Sequence, residues 1–265
     1  MDRDFIFEKL GKEIALIKSE VIQELVIKAL LKVKEEFFIV AASSTGKHHP
    51  DYAQGEGGLL RHVQAAVYFA DIITSLEMFD LEPTTRDLII AAVILHDTCK
   101  GGVTWDRPYA FEHPLLVKEL LTEEELDAYE TVYWDEITYL ISSHMGQWTT
   151  SKYSKYELPK PETKEQKLVH LCDYLASRKQ IDVDIFGPGF KDLATERAVN
   201  EASERSKMMV KPATVPQKKY VAVLINKAKK LPEYDPKYND VEVEDLTMGQ
   251  AGHLIGALRE FIGED

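Results

Sequence analysis

Six histidine and aspartate side chains are of the types that bind metal ions, and their positions are unusual for residues that only pack. They are His62, His96, Asp97, His113, His144 and Asp173. Imidazoles and carboxylates at the ends or inward faces of several helices are what a divalent cation requires from a helical bundle. Each residue alone has a simpler explanation, such as a packed core histidine or an aspartate paired with Arg61 or Arg178. The set as a whole predicts a metal centre.

The doublet His96-Asp97 is the most informative pair, because it ends the most hydrophobic stretch of the chain, residues 88–95. A carboxylate buried there is costly unless a cation or hydrogen-bond donors compensate it. An aspartate at a helix end can bridge two ions through its two oxygens while the histidine binds one of them. Lys100, one turn beyond His96, can pair with the carboxyl end of the helix.

The elements that must position these residues are predicted to be helices almost throughout. Apolar residues recur at three- and four-residue steps, the pattern of amphipathic helices. The predicted helices are residues 21–38, 59–76, 85–95, 114–121, 123–143 and 163–179. Residues 88–95 are apolar on every face, as in a buried strand or a central helix, and the helical surroundings favour the helix. Residues 43–58 contain four glycines and a proline and predict a long loop. The expected fold class is all-α.

A second, smaller module is predicted after Pro212 and Pro216. We expect a main domain over residues 1–210, with its core at about 21–181, and a module over 211–265 with two helices, about 216–230 and 247–261. From Lys207 to Lys230 there are seven lysines and no acidic residue. This segment is either a solvated helix face or a nucleic-acid contact, and the sequence does not favour one over the other.

Composition excludes several classes of protein. The net charge of −13 argues against a chain that coats nucleic acid with its whole surface. Two cysteines, Cys99 and Cys172, exclude a disulfide framework and suit a reducing compartment. The chain shows neither a signal-peptide pattern nor an apolar run long enough to cross a membrane. We therefore expect a cytoplasmic protein with no membrane contact.

The order His62, His96-Asp97, Asp173 resembles the H…HD…D signature of the HD-domain phosphohydrolase superfamily, and His113 and His144 fall where its two-metal members place additional histidines. Within it, the chain is similar to bacterial 3′→5′ exoribonucleases that carry an HD domain behind an OB-fold. The matching stretches are His48-His49, residues 57–62, 95–100, 158–161 and 170–175. The resemblance covers about residues 25–181. Residues 213–263 resemble a short helical module of phage recombination and replication proteins.

The resemblance implies an HD-domain helical bundle that hydrolyses phosphate esters with one or two divalent ions, of Mn, Fe, Ni, Co or Zn. His62, His96, Asp97 and Asp173 would hold one ion. His113 and His144 would hold a second, with Asp97 bridging and a hydroxide between the ions attacking phosphorus. Asp97 and Lys100 are the implied catalytic residues. The residues assigned to substrate binding are His48, His49, Lys100 and Arg178.

Two departures from that family leave alternatives open. The N-terminal region has no β-rich segment that would form an OB-fold, and Met145 stands where those enzymes tend to have a second histidine. The number of ions, one or two, therefore stays open. So does the function: a nuclease or phosphodiesterase acting on single-stranded nucleic acid, a phosphohydrolase of small nucleotides such as dNTPs, nucleoside monophosphates or cyclic nucleotides, or a non-catalytic nucleic-acid-binding protein. The C-terminal helices would hold a strand, or only pack or form a homo-oligomer.

Aromatic residues in the loops after the ligand helices also have two interpretations. They are Trp105, Trp148, Tyr153 and Tyr156. Such side chains either stack nucleobases or cover the rim of the core. His170 lies one helical turn before Asp173, on the same face, and we expect it to support the metal ligands.

Overall fold

The computed structural model describes residues 1–43, 49–181, 196–232, 234, 236, 238 and 241–263. The chain divides into two compact units, Met1–Asn200 and Glu201–Asp265. The boundary that we predicted, after residue 210, falls inside the second unit. Secondary structure in the described residues is helical, with one isolated antiparallel bridge between Pro212 and Thr247. The all-α fold class is confirmed.

The first unit is a bundle of helices joined by short turns. Its helices are α1 (Arg3–Ile14), α2 (Glu20–Lys32), α3 (Glu36–Ile39), α4 (Gly58–Thr74), α5 (Pro83–Leu95), α6 (His113–Leu116), α7 (Ala128–Ser142) and α8 (Lys164–Ala176). Short 3₁₀ turns lie at Asp51–Ala53, Glu77–Phe79, Val117–Leu120 and Glu123–Glu125. A further helix, α9 (Glu196–Met209), crosses the boundary between the units.

Helix α5 is the central helix of this bundle. It packs against α1, α2, α4, α7 and α8, and every side chain from Ile89 to Leu95 is fully buried. The helix begins at Pro83, two residues before the predicted start, because the fixed φ of proline suits the first helical turn. Its carboxyl end delivers the His96-Asp97 doublet into the middle of the bundle.

Three predicted helices are shorter or interrupted. The predicted helix over 21–38 breaks after Lys32, because Val33 adopts an extended conformation and is buried by its neighbours. The one over 123–143 starts as a 3₁₀ turn and restarts at Ala128, where Asp127 and Glu130 form a capping box. The one over 114–121 is α6 followed by a 3₁₀ turn. These breaks depend on tertiary packing and caps rather than on apolar periodicity.

Helix α1 was not predicted, although its signal was present. Asp2 caps it by accepting a hydrogen bond from the backbone N–H of Phe5 at 2.9 Å. Ile6, Leu10 and Ile14 recur at steps of four residues and are fully buried. The first unit therefore begins well before the core that we expected from residue 21.

The second unit contains the two C-terminal helices expected from sequence, α10 (Val215–Ala228) and α11 (Met248–Ile262). Each starts with a Thr-x-x-Gln capping box, in which threonine and glutamine exchange hydrogen bonds with the first turn. The unit has a small apolar core of its own. Its members include Val221, Leu224, Ala228, Ala251 and Leu258.

No helix in the described part of the chain is both long and apolar enough to cross a membrane. Cys99 and Cys172 are buried free thiols, and burial raises the pKa of each to about 12. Both cysteines are therefore protonated at neutral pH. The compartment of the protein stays a prediction.

Candidate metal centre

The six predicted ligands meet in the interior of the first unit, although they come from separate elements. His62 lies in α4, His96 and Asp97 follow α5, His113 begins α6, His144 follows α7, and Asp173 lies in α8. They form two groups of three, in each of which the ligand atoms lie within 4.8 Å of one another. Their assignment as metal ligands stays a proposal, but their convergence is a feature of the structure.

The first group contains His62, His96 and Asp173. Asp173 Oδ1 lies 3.1 Å from His62 Nε2 and 3.6 Å from His96 Nε2. The two Nε2 atoms are 3.3 Å apart. Both imidazoles are buried, whereas the Asp173 side chain is 20% exposed. This group therefore has a carboxylate on the solvent side.

The second group contains Asp97, His113 and His144, all of them buried. Asp97 Oδ1 lies 3.0 Å from His113 Nε2 and 3.8 Å from His144 Nε2. The Nε2 atoms of the two histidines are 3.1 Å apart. All three side chains of this group are thus shielded from bulk solvent.

Asp97 links the two groups through its two oxygens. While Oδ1 faces His113 and His144, Oδ2 lies 3.7 Å from the Nε2 atoms of both His62 and His96. Lys100 Nζ also donates a hydrogen bond to Oδ2, at 2.6 Å. The carboxylate therefore has the orientation that a bridging ligand requires.

The tautomers of three histidines follow from their hydrogen bonds. Nδ1 of His96, His113 and His144 contacts the backbone carbonyl three residues earlier, at 2.7, 2.8 and 2.9 Å respectively. A carbonyl can only accept, so each Nδ1 carries a proton. Each Nε2 presents a lone pair when its ring is neutral, and His96 or His113 donates through Nε2 to a carboxylate only when its ring is protonated. The neutral ring with its proton on Nδ1 is the form in which a histidine binds a metal through Nε2.

These lone pairs provide a test of whether the residues fit a metal. The Nε2 atoms of His113 and His144 face each other at 3.1 Å, and two unprotonated nitrogens at this distance repel unless one ring gains a proton or a cation lies beside them. A cation held by both nitrogens and by Asp97 Oδ1 removes that conflict. The donor set, imidazole nitrogen and carboxylate oxygen, therefore fits a divalent transition metal.

The charges in the centre agree with this fit. Burial alone would raise the pKa of Asp97, but Lys100, His96 and His113 outweigh it and hold the pKa of that carboxyl well below its usual range. The pKa of Asp173 is also held well below its usual range, because hydrogen bonds with His62 and His96 outweigh the effect of burial. Burial lowers the pKa of His144 to about 3, with help from neighbouring imidazoles. At neutral pH the centre presents ionised carboxylates and a neutral His144.

Two glycine turns bring His113 and His144 into place. A side chain at Gly101 would collide with the ring of Trp105, its Cβ lying 2.4 Å from a ring carbon. The loop there folds back until the N–H of Ala110 binds the carbonyl of Lys100 at 2.7 Å. Gly146, with a φ of +64°, has the His170 imidazole in the space that a Cβ would fill.

His170 supports His144 directly, as predicted for a residue on the face of Asp173. Its Nδ1–H donates to the backbone carbonyl of His144 at 2.7 Å. The hydrogen bond fixes the turn that carries the His144 side chain. His170 thus positions the proposed ligand His144 and belongs to neither group of three.

A cavity of about 960 Å³ opens beside the centre. Asp97, His113, His144 and Asp173 contribute to its wall. Of the predicted substrate-binding residues, His49, Lys100 and Arg178 line it as well, whereas His48 lies outside the described residues. Burial lowers the pKa of His49 to about 4, so this imidazole is neutral at pH 7.

Sequence reasoning missed several residues of the cavity wall, among them Arg107 and Tyr109. Both lie in the loop that folds back after Gly101 and Gly102. The sequence signal was weak, since only the pair of glycines and the position between His96-Asp97 and His113 marked this loop. Arg107 also binds Glu112 at 2.8 Å, next to the ligand His113.

Residues 59–178 match the HD domain family. The 3′-5′ exoribonuclease YhaM of Oceanobacillus iheyensis is 27% identical to this chain over 193 residues. The aligned part makes up 67% of this chain and 55% of that protein, so the chain spans about half the length of the curated relative that it matches. No solved structure matches the chain.

Proposed function

Because residues 59–178 form an HD domain close to that of an exoribonuclease, we propose that this protein is a divalent-metal-dependent phosphodiesterase acting on single-stranded nucleic acid. The observation that carries the proposal is the carboxylate of Asp97, whose two oxygens face two separate groups of metal-type ligands. The family and the relative support the coarser statement, a metal-dependent phosphohydrolase. The substrate and the residue roles below are part of the proposal.

Each of the two groups of ligands would hold one cation. His62, His96 and Asp173 would hold one ion, and His113 and His144 would hold the other, with Asp97 shared. Mixed nitrogen and oxygen ligands suit Mn, Fe, Ni, Co or Zn. When bound, such ions lower the pKa of water and neutralise the charge that develops on a phosphate ester. The enclosed position of the second group supports occupancy by two ions, even though Met145 replaces a histidine.

The remaining groups of the centre bind and orient the substrate. Lys100 holds Asp97 with one of its three N–H donors, and the others are available to a phosphate oxygen in the cavity. Arg178 adds a second positive charge to the same wall. Both cations favour a phosphodiester over a neutral ligand. His49 is neutral and half-buried beside His62, with ring centroids 5.4 Å apart, and would contact the leaving group.

Several observations favour nucleic acid as the substrate. The relative that the chain matches is named an exoribonuclease. The cavity places aromatic rings, Trp105 and Trp148, beside the cationic side chains. The lysine-rich segment from Lys207 to Lys230 would add a site for a strand. RNA and DNA are both compatible with these features.

The second candidate function is hydrolysis of a small nucleotide. A volume of about 960 Å³ is at the upper end of the range for small-ligand pockets, and it would accommodate a mononucleotide. The net charge of −13 is also less unfavourable for a small ligand than for a long strand. Both candidates need the same metal centre.

One experiment tests the proposal and separates the two candidates. The purified protein is analysed for metals, and after addition of Mn²⁺ it is offered single-stranded RNA and DNA oligomers, dNTPs, monophosphates and cyclic nucleotides. We expect bound transition metal and metal-dependent release of nucleotides from an oligomer. Hydrolysis confined to free nucleotides would select the second candidate. A protein that binds no metal and hydrolyses none of these compounds would overturn both.

A further inference from the structure

Two aromatic rings and a guanidinium are stacked on one another beside the metal centre. The rings of Trp148 and Tyr174 are nearly parallel, at 15°, with centroids 6.1 Å apart. The guanidinium carbon of Arg178 lies 4.2 Å from the centroid of Tyr174. Tyr174 follows the ligand Asp173 directly in α8, so the same helix that supplies a ligand also supports this stack.

The stack is also tied to the second group of ligands. His170, which binds the carbonyl of His144, contacts Trp148 and Tyr174 with its ring, at centroid distances of 6.3 and 5.9 Å. The aromatic rings are therefore held in a fixed position relative to His144. Trp148 lines the same cavity as Asp97 and His144.

Trp148 does more than cover the core, because 45% of its surface remains exposed. A tryptophan that only sealed the rim would bury most of its indole. A flat, partly exposed indole with a rigid backing binds another flat aromatic ring by stacking. Arg178 uses two of its five N–H donors on Tyr174 O and Ser177 Oγ, and the others can bind a phosphate in the cavity.

We propose that Trp148 is the platform on which an unpaired nucleobase of the substrate stacks, while the phosphodiester next to that base enters the metal centre. This inference rests on the proposed function and adds the side chain by which a single strand is recognised. A base within a duplex has neighbours on both of its faces, so it cannot also stack on the indole.

The loop that follows Trp148 extends the proposed binding site away from the metal centre. It is closed at its base by a hydrogen bond from the N–H of Leu158 to the carbonyl of Thr149, at 2.8 Å. Lys152 lies over the ring of Tyr153 at 4.7 Å, and Tyr153 is 86% exposed. Lys155 lies over Tyr156 at 5.5 Å. Alternating lysine and tyrosine offers charge to phosphates and rings to bases, in a chain whose net charge is −13.

Equilibrium binding tests the platform independently of catalysis. The full chain, with EDTA present to stop hydrolysis, is titrated into a fluorescein-labelled single-stranded oligomer and into an abasic oligomer of the same length. We expect the oligomer with bases to bind more tightly. Trp148→Ala should weaken its binding roughly 5- to 100-fold and leave the abasic oligomer unaffected. Trp148→Phe, which retains a ring, should recover most of the affinity.

The control is Tyr139→Ala, which removes an exposed ring from α7 outside the cavity and should change neither affinity. Thermal unfolding of each variant establishes that it folds. Equal dependence on bases in the wild type and in Trp148→Ala would overturn the platform, as would a duplex that binds as tightly as the single strand. Hydrolysis assays with Mn²⁺ then separate the two proposals. Hydrolysis without base-dependent binding rejects only the platform, and base-dependent binding without hydrolysis rejects only the enzyme.

Discussion

Among the buried carboxyl groups of the first unit, Glu13 and Asp97 have pKa values that move in opposite directions. Glu13 in α1 is 4% exposed, and burial raises its pKa to about 7, offset only in part by a backbone hydrogen bond and by Lys12. Asp97 is 3% exposed, yet its pKa is held well below the usual range, because Lys100 and the imidazoles of His96 and His113 outweigh burial.

Under the proposed function, the difference separates a structural acid, Glu13, from a functional one, Asp97. Burial alone favours the neutral carboxyl, as at Glu13, and a neutral carboxyl needs no cation beside it. Keeping Asp97 ionised in the interior requires several positively charged or proton-donating neighbours, and this is an arrangement that also suits a metal ion. A buried acid is therefore informative about function only when its surroundings stabilise the charge.

The largest expected effect follows from removing the shared charge. Asp97→Ala deletes the one carboxylate that faces both groups of ligands, so we expect both ions to bind weakly and hydrolysis to fall roughly 10³-fold or more. Metal analysis and initial rates measure the two quantities. Asp135→Ala, on the exposed surface of α7, is the matched control. If Asp97→Ala bound as much metal as the wild type, Asp97 would not be a metal ligand, and its contrast with Glu13 would say nothing about function.

The second prediction concerns the two groups separately. His62→Ala and His144→Ala should each lose one ion and keep the other, with rates reduced roughly 10²-fold. Metal stoichiometry and affinity, from elemental analysis and calorimetry, distinguish this from a single composite site. If each variant lost all of its metal, the six side chains would have to be described as one site.

The third prediction concerns Glu13. The folded protein holds this carboxyl with a pKa of about 7, against an ordinary value of 4.5, so the contribution of Glu13 to stability is fully present below pH 4.5 and is lost as the pH rises through 7. The difference corresponds to about 3 kcal/mol. Glu13→Gln should remove this component of the pH dependence, as measured by urea unfolding between pH 4.5 and 9. Glu8→Gln, exposed on the same helix, should retain the wild-type profile.

The smallest effect is expected at Lys100. Lys100→Met keeps the apolar stem and removes the charge, so kcat/KM for a phosphodiester should fall roughly 10-fold. Bound metal should be retained, since Lys100 contacts a ligand but is not one. Lys118→Met, which removes an exposed lysine, controls for net charge. An unchanged kcat/KM would mean that Lys100 only balances the charge of Asp97.

The convergence of the six proposed ligands could be predicted from sequence, because metal chemistry restricts such residues to few types in a recognisable order. The central position of α5 could also be predicted from sequence, since residues 88–95 are apolar on all faces. Helix α1 could have been found from Ile6, Leu10 and Ile14. The break after Lys32 could not, because packing around Val33 determines it.

The geometry within the site could not be predicted from the sequence either, because it also depends on tertiary packing. The orientation of the two Asp97 oxygens depends on where five separate elements end. Which nitrogen of His113 or His144 carries its proton depends on a carbonyl that the turn presents. Arg107 and Tyr109 reach the cavity only because the loop folds back at Gly101.

Gly146 and His170 share one small volume, with an imidazole carbon 2.1 Å from the point where a Cβ at position 146 would lie. Substitution at one of these two positions consequently constrains the other. A methyl group at 146 would need a smaller residue at 170 and would still be strained by the φ of +64°, and the smaller residue would no longer hold the turn carrying His144. Engineers who wish to diversify this enzyme should randomise the two codons together.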